Sequence, residues 1–442
     1  MIETLSGLVA LMKSYGATRF YAKKLAPNDN SKNQVYLGGD FSVLNIIPHQ
    51  GIYTDNTVSS GSVRNRAKAD VSFSWVNQNG LHNAPNAQLI LYPKYPEVRM
   101  SGFLKGAKYA PSDIMAVRDE GRVLFIGVTP DGQILGYAAG PDSSLAKEVY
   151  AKNDLKQIGV FLEIPPESGI KDTRKLLLDK LAEICSKHWI MSKKLDSGGF
   201  SKPYKARNGG GYTLEAELGI TPNGYSDPDY LGWEIKQYAV SDFIAYRPKG
   251  VVTLMTPEPT SGLYKNSGVE QFLHRYGYPD KHGKADRVNF GGIYSCEKDF
   301  HADTGLKLAL QGYDPSSEKI TDMTGGIVLL SRENEIAAKW DFIHLMEHWT
   351  RKHAQAAYIP SIFRTPPPEY AYGPRILLCE QTDFSLFLKA VANCTVYYDP
   401  AVKMEKASSG NPATKRRSQF RVRYNELVHM YYRHEYVELP IE

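Results

Sequence analysis

Apolar and polar positions change their rhythm after the first 150 or so residues. Up to that point short β-prone runs recur (QVYLGG, VSFSWV, AQLILYP, RVLFIGV, GQILGYAAG), and clusters of Gly, Pro and Asn separate them at hairpin-like spacing. TPDG, Thr129–Gly132, reads as a tight turn joining two of them. This pattern predicts a β-rich domain over residues 1–150, a barrel or a sandwich. A linker-like passage with IPPESG follows, and the boundary is expected between about Asp142 and Ser168. Leu176, Leu177, Leu181, Ile184 and Cys185 then recur at helical spacing, with Asp172 placed to cap the helix. Beyond it strands (GWEIKQY, GVVTLMT, FGGIYSC, LKLALQGY, GGIVLLS, RILLCEQ) alternate with helices expected at Gly268–Arg275 and Lys339–Lys352. That mixture predicts an α/β domain over residues 165–442.

One strand carries candidate chemistry. In DPDYLGWEIKQY, side chains two apart share a face, so Glu234 and Lys236 point one way while Trp233 and Ile235 point into the core. Asp229 lies five residues before Glu234, and Gly232 permits a bend that brings the two carboxylates together. Spacing favours Asp229 over Asp227 for this. Paired carboxylates repel unless a cation sits between them, and oxygen ligands of this kind suit Mg²⁺. A neighbouring lysine can orient a water and neutralise charge on a phosphate. Upstream, Gly209-Gly210-Gly211 reads as a helix N-terminus with free amides, preceded by Lys202, Lys205, Arg207 and Asn208. Glu215 falls in the first turns of that helix and can face the same acidic centre. The bland reading is an exposed strand with a weak Glu–Lys pair and glycines that serve only a turn.

Composition narrows the class. A chain of 442 residues with 42% apolar and 11% aromatic content is long enough for two domains, or three, and is too apolar for disorder. The net charge of +5 permits nucleic-acid binding without requiring it, so local clusters matter more. Four cysteines without a CxxC pair argue against structural zinc and for free thiols in a reducing compartment. The N-terminus lacks a basic leader and cleavage site, and no run is long enough to span a membrane, so a cytoplasmic protein without membrane association is expected.

Basic clusters supply candidate DNA contacts. Lys415, Arg416, Arg417, Arg421 and Arg423 crowd one stretch, and FRVRYN as a strand puts Arg421 and Arg423 on one face. The N-terminal unit carries Lys23, Lys24, Arg99 and Lys105 among its polar loops. In DFIHLMEHWTRKH, His344 and His348 lie four apart on a helix, a weak metal signal, while His348 and His353 are candidates for phosphate or base contact.

The run NGGGYTLEAELGITPNGYSDPDYLGWEIKQY resembles the MvaI/BcnI family of restriction endonucleases, relatives of the MutH nicking enzyme within the PD-(D/E)xK fold. VVTLMTPEPTSGLY, HRYGYPD, RVNFGGIYS, TGLKLALQGYD and HWTRKHAQAAYIP are similar to that family too, so the resemblance covers most of residues 170–442. It implies Asp229, Glu234 and Lys236 as the catalytic triad, Glu215 as a further acid, and the Ile235 carbonyl as an additional metal ligand. FYAKKLAPNDNSKNQVYLGG resembles the opening of the effector DNA-binding domain of EcoRII-like enzymes, through Lys24, Asn28, Asp29 and Gln34, with Tyr95–Ala107 where that domain has a basic recognition segment. The resemblance implies a Mg²⁺-dependent, sequence-specific endonuclease for double-stranded DNA, with a DNA-binding N-terminal β-barrel-like domain and a C-terminal α/β nuclease domain. A monomer and a cognate DNA methyltransferase partner complete the expectation. Two alternatives stay open: a MutH-like nicking or modification-dependent nuclease, and a DNA-binding regulator whose acidic cluster is inert.

Overall fold

The computed structural model describes residues 2–59, 62–165, 172–221 and 228–440. They form two compact units, Met1–Lys171 with Lys319–Met323, and Asp172–Glu318 with Thr324–Glu442. Among the described residues no helix is long and apolar enough to cross a membrane.

The first unit holds a seven-stranded and a five-stranded sheet. Its middle strand Val123–Val128 is buried along its whole length, because strands cover both its edges and a helix covers one face. That helix, Leu5–Ser14, packs Leu5, Leu8, Val9 and Met12 against Phe125 and Leu135. The TPDG turn forms as expected: Gly132 adopts φ +87°, its N–H donates to the Thr129 carbonyl, and the flanking strands pair antiparallel. The expected barrel does not appear. Among the described residues both sheets are open, and the larger one ends in the two-residue edge Gln157–Ile158 and the half-exposed edge Gly80–Asn83, which do not meet. Within this unit the Asn65 amide donates to the Thr321 carbonyl at 2.6 Å and accepts from the Met323 N–H at 3.1 Å. Ile320 and Met323 are buried there.

Five elements of the second unit position the site. Helix α1 is Thr173–Ser186, and Asp172 caps it by accepting from the Lys175 N–H at 3.1 Å. Helix α2 is Gly210–Leu218 and strand β1 is Glu234–Ala239. Helix α3, Phe342–His353, runs directly into strand β2, Gln355–Arg364. β1 lies parallel to β2, with Glu234 opposite Ala356 and Lys236 opposite Tyr358. One core joins four of them: Leu177, Leu181 and Ile184 of α1, Leu214 of α2, Trp233 and Ile235 beside and on β1, and Ala357 and Ile359 of β2. α3 starts later than the sequence pattern suggests. Lys339–Asp341 belong to the strand Ile336–Asp341, where Trp340 is buried and registers opposite Ile327, so pairing overrides local helix preference.

Candidate active site

The approach to β1 is a reversed-hand tight turn. Tyr230 and Trp233 exchange both backbone hydrogen bonds, and the two residues between them, Leu231 and Gly232, both have positive φ, +51° and +87°. Turns of this hand match the twist of a hairpin but need left-handed backbone at both central positions. Gly232 supplies one without strain, and Leu231 adopts the other against its own preference. The reversal folds Asp229 back along the strand, where its Oδ2 accepts the Ile235 N–H at 2.9 Å.

Glu234 is fully buried, as are Trp233 and Ile235 on the opposite face. Its Oε1 accepts from Lys236 of the same strand and from Lys352 at 3.3 Å. Its Oε2 is buried and has no hydrogen-bond partner among the described residues. Burial pushes the Glu234 carboxyl up, but Lys236 and Lys352 outweigh it and hold the group below the usual carboxylate value. Burial and then the Glu234 charge raise Asp229, and burial and then Asp229 raise Glu215. Lys236 is lowered by burial, yet Glu234 more than offsets this and its value is raised. Two further carboxyls, Asp229 and Glu215, are thus held reluctant to ionise near a buried Glu234 whose Oε2 has no partner among the described residues.

A hard divalent cation fits this donor set: Asp229, the free Glu234 oxygen and the neighbouring Ile235 backbone. Among the described residues no three His, Cys, Asp or Glu side chains form a group that could hold a metal ion by themselves. An open arrangement of two carboxylates and a carbonyl leaves coordination positions for water and phosphate. Asp227 lies outside the described residues.

α2 carries Glu215, and two of the three glycines at its start, Gly209 and Gly210, serve packing, whereas Gly211 faces open space. A Cβ on Gly210 would lie 2.8 Å from Oε1 of Gln237 on β1, and one on Gly209 would lie 2.6 Å from Oγ of Ser192. The Gly209 N–H is already given to the Tyr370 hydroxyl, so this amide of the expected phosphate cradle is taken.

α3 adds one residue absent from the sequence-based candidates, Lys352. Lys352 sits one helical turn beyond His348, on the face that meets Glu234, and that spacing was the available signal. His348 is half-buried, its Nε2 lacks a partner among the described residues, and burial and then Lys352 lower it to about 4. His353, the other histidine expected to meet phosphate or base, is enclosed instead of exposed. It is fully buried, its ring lies between the Tyr431 hydroxyl at 2.7 Å and the Leu254 carbonyl at 3.2 Å, and burial lowers it to about 3.

The remaining candidate DNA contacts divide by exposure. Lys23 and Asp29 are buried and paired at 2.6 Å, with Asp29 also accepting from the Tyr36 and Ala26 N–H groups, so they brace a loop and do not face a duplex. Arg99 is ion-paired with Glu97, Gln34 accepts from the Tyr92 hydroxyl, and Arg421 is ion-paired with Asp399 at 2.7 Å. Lys24, Asn28 and Lys105 are exposed in the first unit. Lys205, Arg207, Asn208, Lys415, Arg416, Arg417 and Arg423 are exposed in the second.

The sequence profile of the MvaI/BcnI restriction endonuclease family matches residues 178–431. A search among curated proteins gives no match. Among solved structures, the chain is similar to restriction endonuclease MvaI in complex with its cognate DNA substrate, at 17% identity and a TM-score of 0.45, covering 61% of this chain and 99% of that one. It is also similar to MvaI in the absence of DNA, at 16% identity and a TM-score of 0.33, covering 62% and 100%.

Proposed function

Because this chain belongs to the MvaI/BcnI restriction endonuclease family and is a type II restriction endonuclease, we propose that it hydrolyses double-stranded DNA at a Mg²⁺ site built by Asp229, Glu234 and the Ile235 carbonyl, with Lys236 and Glu215 beside it. The observation that carries this reading is the buried Glu234 carboxylate, whose one oxygen is shared by two lysines while the other has no partner. A buried acceptor without a donor is costly unless a cation or ordered water meets it. When bound, Mg²⁺ would polarise a phosphate oxygen and ease deprotonation of the attacking water.

The chain's own groups do the rest. Trp233 and Ile235 anchor β1 in the core, so Glu234 and Lys236 hold a fixed register on the opposite face. Lys236 orients the attacking water and offsets the charge that builds on the phosphate. Glu215, raised by burial and by Asp229, is suited to hold or accept a proton beside that water. The exposed cations Lys205, Arg207, Lys415, Arg416, Arg417 and Arg423 grip phosphates along the duplex. Lys24, Asn28 and Lys105 give the N-terminal unit a DNA-binding role, as primary reader or effector module. Methylated and unmethylated phage DNA, each incubated with the protein in Mg²⁺ and in EDTA, tests the reading. It predicts discrete double-strand fragments in Mg²⁺ from at least one DNA and none in EDTA. Nicks alone on every substrate would overturn the double-strand assignment.

A further inference from the structure

We propose that Phe200 is an apolar DNA contact, carried at the tip of a hairpin and inserted into a groove of the bound duplex, an inference that rests on the nuclease reading of Asp229, Glu234 and Lys236. The hairpin pairs Lys193–Leu195 with Ser201–Pro203. Phe200 stands at its tip and is 72% exposed. A lone exposed apolar side chain needs no explanation by itself. This one is held in place by the tip around it. The Asp196 N–H donates to the Phe200 carbonyl at 2.9 Å, and Asp196 Oδ1 accepts from the Phe200 N–H at 2.9 Å and the Gly198 N–H at 3.0 Å. Gly199 closes the turn at φ +79°, its N–H donating to the Asp196 carbonyl at 3.0 Å. The ring leans over Gly198, where an added Cβ would come within 3.1 Å of it. The backbone is thus fixed where the ring gains little from burial, and its apolar surface is available to a partner.

The surroundings select the partner. Residues 193–208 carry Lys193, Lys194, Lys202, Lys205 and Arg207 against a single acid, Asp196. Lys202 already neutralises Asp196 at 2.8 Å, and Lys193 is paired with Glu217 of α2. Lys205 and Arg207 are exposed, and Lys194 lies over the Tyr204 ring at 5.7 Å. Tyr204 in turn meets Tyr212 edge-on at 5.1 Å. Rings interleaved with cations suit a polyanion that also offers apolar surface, as the sugars and bases of DNA do. A protein partner would be poorly served, since lysines are depleted from the buried centre of protein interfaces. The hairpin is also tied to the helix that carries Glu215: Thr213 Oγ1 of α2 accepts from the Lys193 N–H at 3.2 Å. The tip therefore keeps a fixed place relative to that helix. Apolar side chains set into a groove act by shape and desolvation, without charge. The competing account makes Phe200 an idle surface residue.

The cleavage site is first mapped by sequencing the ends of a phage-DNA digest. The full chain with Phe200 replaced by the photoreactive p-benzoylphenylalanine is then irradiated in Ca²⁺ on an end-labelled duplex carrying that site. We expect a cross-link to DNA at discrete nucleotides. Phe200→Ala should bind the same duplex roughly 10-fold more weakly, with the salt slope of wild type, because no charge is lost. Lys205→Ala, by contrast, should lower that slope by about 0.9. The urea midpoint of Phe200→Ala should match that of wild type, since the side chain is exposed. Absence of the cross-link, or binding by Phe200→Ala at wild-type affinity, would overturn the proposal. A wild type that neither binds nor cuts any duplex would defeat the nuclease reading, and this inference with it. Wild-type cutting without a cross-link from position 200 would defeat the inference alone.

Discussion

At Glu234 a carboxylate is kept ionised in a buried place by two lysines, and no other charged side chain of the site is as fully enclosed. Removing it strands both ammonium groups, so Glu234→Ala should destabilise the protein by ~3–5 kcal/mol as well as stop cutting, measured by urea unfolding beside a cleavage assay. A pH prediction belongs to His353. Its folded value is lowered to about 3, so the unfolded chain takes up a proton that the folded one refuses. The stability it contributes is present above the ordinary histidine value, about 6.5, and is lost as pH falls from there towards about 3. Melting temperature should therefore drop on acidification through that window, and His353→Gln should flatten the drop. In the sequence His353 and Lys352 look alike, polar residues at the end of a charged helix. What separates them is the long-range partner: Leu254 and Tyr431 for one, Glu234, 118 positions away, for the other. A single sequence holds no record of such pairings. The pair Lys23–Asp29 is close in sequence, and what stayed hidden there was its burial.

Among the elements, the strand and the two helices around it were legible because their patterns are local. Alternation placed Trp233 and Ile235 inside, helical spacing found α1, and Asp172 announced its start. The start of α3 was not legible, because Lys339–Asp341 obey the neighbouring strand and not their own preference. Nor did Gly209 and Gly210 at the start of α2 declare their purpose, which depends on Ser192 and Gln237 lying against them. The turn before β1 carries a testable cost. Leu231 is 42% exposed and holds φ +51°, so its side chain gains little from burial while its backbone is strained. Leu231→Asn gives the Asn-Gly pair this turn hand prefers and should stabilise the protein by ~1 kcal/mol in urea unfolding, with cutting retained. A loss of stability would show that Leu231 has a packing role at the surface.

On the scale of the whole molecule, the chain falls into two compact units, and one short piece lies far along the chain from the rest of its unit. Lys319–Met323 groups with the first unit, where Asn65 bonds to Thr321 and Met323. Nothing in the local sequence marks it. Asn65→Ala removes both hydrogen bonds to this piece and should lower the urea midpoint of unfolding. The expected barrel gave way to two open sheets because alternation reports strands and not how their edges meet. The central claim joins both scales: a family of DNA-cutting enzymes, and one buried carboxylate with an oxygen left for a cation. Single-turnover cleavage of phage DNA in Mg²⁺ by wild type, Asp229→Ala, Glu234→Ala and Lys236→Ala, with DNA binding measured on the same samples, tests it most directly. The account predicts cutting by wild type alone while all four proteins still bind DNA. Cutting by Glu234→Ala or Lys236→Ala at the wild-type rate would contradict it.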